Sequence, residues 1–191
     1  KEIGMNVVRL FLLWDDFQPE PDSVNKEALA NLVKVADIAA EHGLGLDVTF
    51  FTGHMSGPNW SPRWLLGGDQ PPAAHPWICD IVSAGQKTDK GYRNMFHDEM
   101  ALNATRLLLK TVVGALKDHP AIWMWNLGNE PDLFAWPNSS DEGAAWVKEM
   151  VGLIKSIDPK RPVTIGLHGD GIHRDNGLRI DKVYRQTDVA V

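Results

Sequence analysis

Residues 125–132, WNLGNEPD, carry the strongest chemical signal in the chain. An apolar segment runs directly into an Asn-Glu-Pro turn, which sets the Asn129 amide and the Glu130 carboxyl at the end of what reads as a β-strand. A carboxyl so placed can lend a proton to a leaving group or take one from water. Parallel α/β barrels keep their reactive groups at the C-terminal ends of strands and in the loops that follow. Along this chain that rule selects Arg9, Trp14 and Asp15 after one apolar run, His54 after a second, Asn129 and Glu130 after a third, and His168 and Asp170 after a fourth.

Two of these placements make demands on the backbone and on partners. Ideal strand alternation aims Asn129 and Glu130 at opposite faces, so both serve one pocket only where the strand ends or bulges. Pro131 favours such an ending, because it cannot donate to a ladder. Arg9 lies inside the apolar run VVRLFLLW, where an unpaired guanidinium is costly and a carboxylate is needed. Asp47 of the next run is one available partner. His54, His168, Asp170 and His173 include good metal ligands, but the chain has no HxH at a strand end and no HExxH on a helix, which argues against a metal-dependent hydrolase. The glycine cluster GLHGDG has its glycines in the wrong order for a dinucleotide fingerprint.

The elements that must position these residues follow from periodicity. Residues 5–14 and 45–52 are apolar, β-branched runs of the kind buried on both faces in a parallel sheet, as are 121–127 and 163–167. Between the first two, residues 25–42 place Leu29, Leu32, Val33, Ala36 and Ala40 at helical spacing, with Gly43 to stop the helix. Residues 98–119 repeat the pattern with Ala101, Ala104, Leu108, Val112 and Ala115, ended by Pro120. A third helix, capped by Ser140 or Asp141, buries Trp146, Met150, Leu153 and Ile157. Residues 53–96 form a long glycine- and proline-bearing excursion that carries Trp60, Trp64 and Trp77 and reads as a functional loop.

Strand and helix in strict alternation predict a parallel sheet, and four such units are half of an eightfold barrel. The fold expected is therefore α/β, a partial TIM (β/α)8 barrel. Residues 1–4 read as a helix tail with its terminating glycine, and 188–191, DVAV, as the opening of a further strand. On this reading residues 1–191 are one incomplete catalytic domain, truncated at both ends.

WNLGNEP in this register resembles the retaining glycoside hydrolases of the large barrel clan, most of all family 5, which carry an asparagine and the acid/base glutamate as consecutive residues at the end of the fourth barrel strand. The resemblance implies that the chain spans about strands 2 to 5 and the start of strand 6. It implies Glu130 as acid/base, Asn129 as donor to the sugar 2-hydroxyl, and Arg9 as the arginine that holds the nucleophile ionised. A retaining enzyme needs a second carboxyl about 5–5.5 Å from the first, and the acid must hold its proton near neutral pH, which apolar surroundings and a neighbouring anion arrange. In the family that second carboxyl comes from the seventh strand, so this chain alone is expected to be inactive. His54, His168 and Asp170 match pocket-lining positions, and Trp14, Trp60, Trp64 and Trp136 fall in mouth loops where rings stack on sugars. Trp123 and Trp125, inside a strand, read as packing residues. The implied substrate is a β-glucan or β-mannan, with no cofactor. A noncatalytic sugar-binding barrel is the alternative.

Composition agrees. The chain has 191 residues, 43% hydrophobic and 23% charged, with eight tryptophans against two tyrosines and a net charge of −6. Its 19 basic residues are scattered, which excludes a nucleic-acid footprint. No apolar window is long enough to span a membrane. The single cysteine, Cys79, excludes an intrachain disulfide scaffold.

Overall fold

The computed structural model describes residues 4–70 and 79–191. In chain order its elements are β1 (Val7–Leu13), α1 (Trp14–Phe17), α2 (Lys26–Glu41), β2 (Gly45–Thr52), β3 (Asn59–Trp60), β4 (Leu66–Gln70), β5 (Ile81–Ser83), β6 (Gln86–Thr88), α3 (Glu99–Leu116), β7 (Ile122–Asn129), α4 (Ser140–Ile157), β8 (Val163–Gly166) and α5 (Ile180–Val183). Strands β1, β2, β7 and β8 pair in that order, every pair parallel. Each main strand thus lies beside the next one in sequence, with helical crossovers between, and the result is an arc of an (α/β) barrel, as the alternation predicts.

One face of the arc is apolar. Leu12, Leu46, Val48, Phe50, Trp125, Leu127, Val163 and Ile165 are all buried and join the helix residues Leu32, Ala36, Leu108, Val112, Met150 and Ile154 in one core. The opposite face is polar at its centre. Register aligns Arg9 with Asp47 and Phe11 with Thr49 across β1 and β2, and Thr49 with Asn126 across β2 and β7.

The helices start where short polar side chains satisfy the first free N–H groups. Asn25 accepts from Glu27 and Ala28 at α2, Asp98 from Ala101 at α3, and Ser139 from Glu142 at α4. The α4 cap is therefore Ser139, one residue before the expected pair.

The described part of the 53–96 excursion carries secondary structure of its own. Strands β3, β5 and β6 form a small sheet, parallel between β3 and β5 and antiparallel between β5 and β6. Ala84 and Gly85 close the β5–β6 hairpin with φ of 49° and 75°, the positive angles a two-residue turn needs. Strands of two or three residues are too short to show periodicity, which is why none is legible in sequence. Trp77 and the helix tail expected at residues 1–3 lie outside the described residues. At the other end, 188–191 makes no strand, although Asp188 N–H donates to Val163 O at 2.9 Å.

Trp123 is 46% exposed, so it is only in part the packing residue expected; its ring covers Gly45, where a Cβ would strike it. Trp125 is fully buried and donates Nε1–H to Asp158 at 3.0 Å.

Candidate active site

Both β2 and β7 break their regular pleat at the C-terminal end. Between Phe11↔Thr49 and Leu13↔Thr52, β2 carries an extra residue, and β7 carries one between Asn126↔Thr164 and Asn129↔Gly166. Each bulge is followed or accompanied by a left-handed residue that is not glycine: Phe51 at φ 43° and Glu130 at φ 48°, ψ 51°. Such backbone costs about 1–3 kcal/mol per residue and persists only where its surroundings enforce it. Here Phe51 is locked among Trp14, Phe50 and Trp146, and Glu130 N–H donates to Gly166 O at 2.8 Å. The irregular β7 end removes the conflict that strict alternation posed for Asn129 and Glu130.

The result is a compact polar group. His54 Nε2 lies 3.6 Å from Glu130 Oε2, too far for a hydrogen bond. Asn129 Nδ2 donates to His54 O at 2.9 Å, tying the β2 and β7 ends together. The His54 side chain is 5% exposed and that of Glu130 30%, so the carboxyl has an open side and the imidazole does not.

Arg9 sits beneath this group. Its Nε donates to Thr49 Oγ1 at 3.0 Å and its Nη2 to Gly128 O at 3.2 Å, with Asp47 Oδ2 at 3.6 Å and the Phe11 ring 4.7 Å from Cζ. The carboxylate that the sequence demands is thus Asp47, at long range. Burial pushes the Asp47 carboxyl above its ordinary range, outweighing the Asn126 hydrogen bond and the Arg9 charge. Gly166 makes room for the guanidinium: a Cβ there would lie 2.8 Å from Arg9 Nη2.

A second cluster gathers around Asp132, which sequence reasoning missed. This buried carboxylate accepts from His168 N–H and from Asn176 Nδ2, both at 3.1 Å, and so joins the loop after β7 to the loop after β8. Trp136 donates Nε1–H to Asp132 O at 2.6 Å, and Arg174, paired with Asp170 at 2.5 Å, lies over the Trp136 ring. Trp136, His168 and Asp170 are therefore linked through one network. The only sequence cue for Asp132 is its place directly after Asn-Glu-Pro.

Burial raises the Asp132 carboxyl above the ordinary aspartate range, with the His168 N–H opposing. The folded chain then holds this proton more tightly than the unfolded chain. That contribution is present below the ordinary range and is lost as pH rises through the folded value. Asp132→Asn must turn an amide N–H toward either His168 N–H or Asn176 Nδ2, and Asn176 cannot flip because its Oδ1 accepts from Leu178 N–H. Urea unfolding is expected to show a loss of about 1–3 kcal/mol at neutral pH, and an unchanged midpoint would contradict this role.

The expected tryptophans divide. Trp14 is a correction: it is 0% exposed, packs against Phe51, Trp64 and Phe134, and donates Nε1–H to Gln18 Oε1 at 3.0 Å, so it is core and presents no face to a sugar. Its position at a strand end is as expected, but the loops fold over it. Trp64 is half-buried, edge-on to Trp14, with Nε1–H on Gln18 O at 2.8 Å. Trp60 is half-buried in the small sheet. Among the described residues no three His, Cys, Asp or Glu side chains are grouped to hold a metal ion, and no helix is long and apolar enough to cross a membrane.

Residues 79–188 match the family model described as glycosyl hydrolases family 2, TIM barrel domain. Among curated proteins the chain is similar to mannan endo-1,4-beta-mannosidase 4 of Oryza sativa subsp. japonica, 31% identical over 96% of this chain and 40% of that protein. It is also similar to mannan endo-1,4-beta-mannosidase F of Aspergillus clavatus, 34% identical over 78% of this chain and 29% of that protein. Among solved structures, an exo-beta-1,4-mannosidase from an Opitutaceae bacterium superposes with a TM-score of 0.73 at 25% identity, over 94% of this chain and 28% of that one. A GH5_18 protein from Bifidobacterium longum subsp. longum, in complex with Manβ1-4GlcNAc, gives a TM-score of 0.76 at 25% identity, over 98% of this chain and 41% of that one. The chain thus spans at most about 40% of the length of the curated relatives it matches. The whole-chain likenesses run to family 5, as the WNLGNEP motif implies, while the matching family model is that of the family 2 barrel.

Proposed function

Because the chain belongs to the glycosyl hydrolases whose TIM barrel domain the family 2 model describes, we propose that the complete protein hydrolyses β-linked mannosides by a retaining mechanism with Glu130 as acid/base. The observation that carries this reading is the setting of Glu130, a partly open carboxyl on left-handed backbone at the end of a barrel strand, between Asn129 and His54. In the first step the Glu130 carboxyl gives its proton to the glycosidic oxygen while a second carboxylate bonds to the anomeric carbon and the C–O bond breaks. In the second, the Glu130 carboxylate takes a proton from water as that water's oxygen displaces the enzyme carboxylate, and the Glu130 acid is restored. No cofactor enters the cycle.

Residues 1–191 supply one half of this pair. The second carboxylate belongs to a part of the complete protein outside them, so these residues alone do not turn over substrate. On this reading Arg9, whose Nη2 lies against Gly166 at the β8 end, helps hold that carboxylate ionised. Asn129 contacts the 2-hydroxyl. Trp60, Trp64, Trp136, His168 and Asp170 line the sugar path, whereas the buried His54 imidazole acts on it only through Glu130. Mannan is favoured over glucan by the relatives' names.

The test is the complete protein on β-1,4-manno- and cello-oligosaccharides, with product anomers followed by proton NMR. Manno-oligosaccharides are expected to be cleaved faster, with the β-anomer appearing first. Initial release of the α-anomer would overturn the retaining mechanism, and exclusive cleavage of cello-oligosaccharides would overturn the substrate.

A further inference from the structure

Asn59 is 2% exposed and uses both ends of its amide. Its Nδ2 donates to Leu133 O at 3.2 Å, and its Oδ1 lies 2.8 Å from His54 Nδ1. A carbonyl only accepts, so the amide nitrogen must face Leu133 and the amide oxygen must face the imidazole. That oxygen also only accepts. His54 Nδ1 therefore carries the proton, and in the neutral ring the lone pair is left on Nε2, the atom 3.6 Å from Glu130 Oε2.

We propose that Asn59 is a positioning residue of the acid/base site: it holds His54 as the Nδ1–H tautomer and so turns an acceptor, not a donor, toward Glu130. The inference rests on the reading of Glu130 as acid/base. An Nε2 lone pair beside the carboxyl favours its protonated form over the carboxylate, since ionisation would set two electron-rich atoms face to face. An Nε2–H would do the reverse and hold the carboxylate, spoiling the acid.

Among the described residues, two further titratable side chains lie close to the pair, Cys79 and Tyr92. The Cys79 thiol is pushed up by burial, then by Asp80 and Glu130. The Tyr92 hydroxyl, beside Asn59, is pushed up by burial in the main and is fully enclosed. Both stay protonated through the neutral range. Asn129, on His54 O, is uncharged.

The experiment is a long-range proton–nitrogen correlation spectrum of the complete protein with 15N-labelled histidine, alongside kcat/KM against pH. Neutral His54 in the wild type is expected to show the Nδ1–H pattern. Asn59→Leu is expected to move it toward Nε2–H and to shift the basic limb of kcat/KM to lower pH. A wild-type His54 in the Nε2–H form overturns the inference whatever Glu130 does, and needs no variant to fold. Undiminished turnover in Glu130→Gln overturns the acid/base reading separately, and with it the catalytic consequence of the tautomer.

Discussion

Glu130→Gln in the complete protein is expected to lower kcat on manno-oligosaccharides by about 100-fold or more, the ordinary worth of a positioned general acid. The amide is nearly isosteric and keeps the contact with His54, so the fold is expected to survive; what it removes is the proton. The loss should depend on the leaving group. With a 2,4-dinitrophenyl mannoside the first step needs no acid, so the glycosyl-enzyme forms readily and then accumulates, because no base is left to activate water. A burst of dinitrophenol followed by slow turnover is the expected trace. Azide, which needs no deprotonation to attack, should speed the slow phase and leave a β-mannosyl azide. A loss of only a few-fold on the oligosaccharide, or equal losses on both substrates, would remove Glu130 from the acid/base role. Strain sharpens the choice of variant: Glu130→Gly would relieve the left-handed backbone and confound stability with chemistry, whereas glutamine keeps that strain unchanged.

How much of this was legible beforehand depends on the range of the interaction concerned. The limits of β2 follow from a run of mostly apolar and β-branched residues, and the start of α2 follows from Asn25 ahead of a 3.6-residue repeat; both are local signals. The Asn-Glu pair at a strand end is also local, and Pro131 announces that the strand stops there. What Pro131 does not announce is the sign of φ at Glu130, which is set by the Gly166 carbonyl from the neighbouring strand. Asn59 gives no signal at all among the glycines, prolines and serines around it. Its importance comes from Leu133, 74 positions away, and from His54. Trp14 fails in the opposite sense. Its strand-end position suggests an exposed ring, but whether a mouth residue sees solvent depends on where Phe51, Trp64 and Phe134 fold, and periodicity does not carry that.

Arg161→Met is expected to destabilise the fold by about 3–5 kcal/mol in urea unfolding without touching the candidate site, because it strips a buried carboxylate of its cation. Asp158 is 2% exposed and accepts from Trp125 Nε1 and Arg161 Nη1 at 3.0 and 3.1 Å. The same guanidinium donates to Ile122 O at 2.6 Å, to His119 O at 2.7 Å and to Lys117 O, so it closes the end of α3 and the start of β7 against the turn after α4. This lies at the N-terminal end of the strands, where barrels keep stability rather than chemistry. Burial opposes the charge on Asp158, yet the bonds from Trp125 and Arg161 overcome it and hold the carboxyl below its ordinary range. A lowered carboxylate stabilises above its unfolded value and loses that contribution as pH falls through the folded value. The gap between wild type and Arg161→Met should therefore be widest near neutral pH and narrow on acidification below about pH 4. Asp158→Asn, which keeps one acceptor for Trp125 and leaves the guanidinium on its three backbone carbonyls, should cost less than Arg161→Met. A gap that does not change with pH would mean that the lost carbonyl hydrogen bonds, not the ion pair, carry the effect.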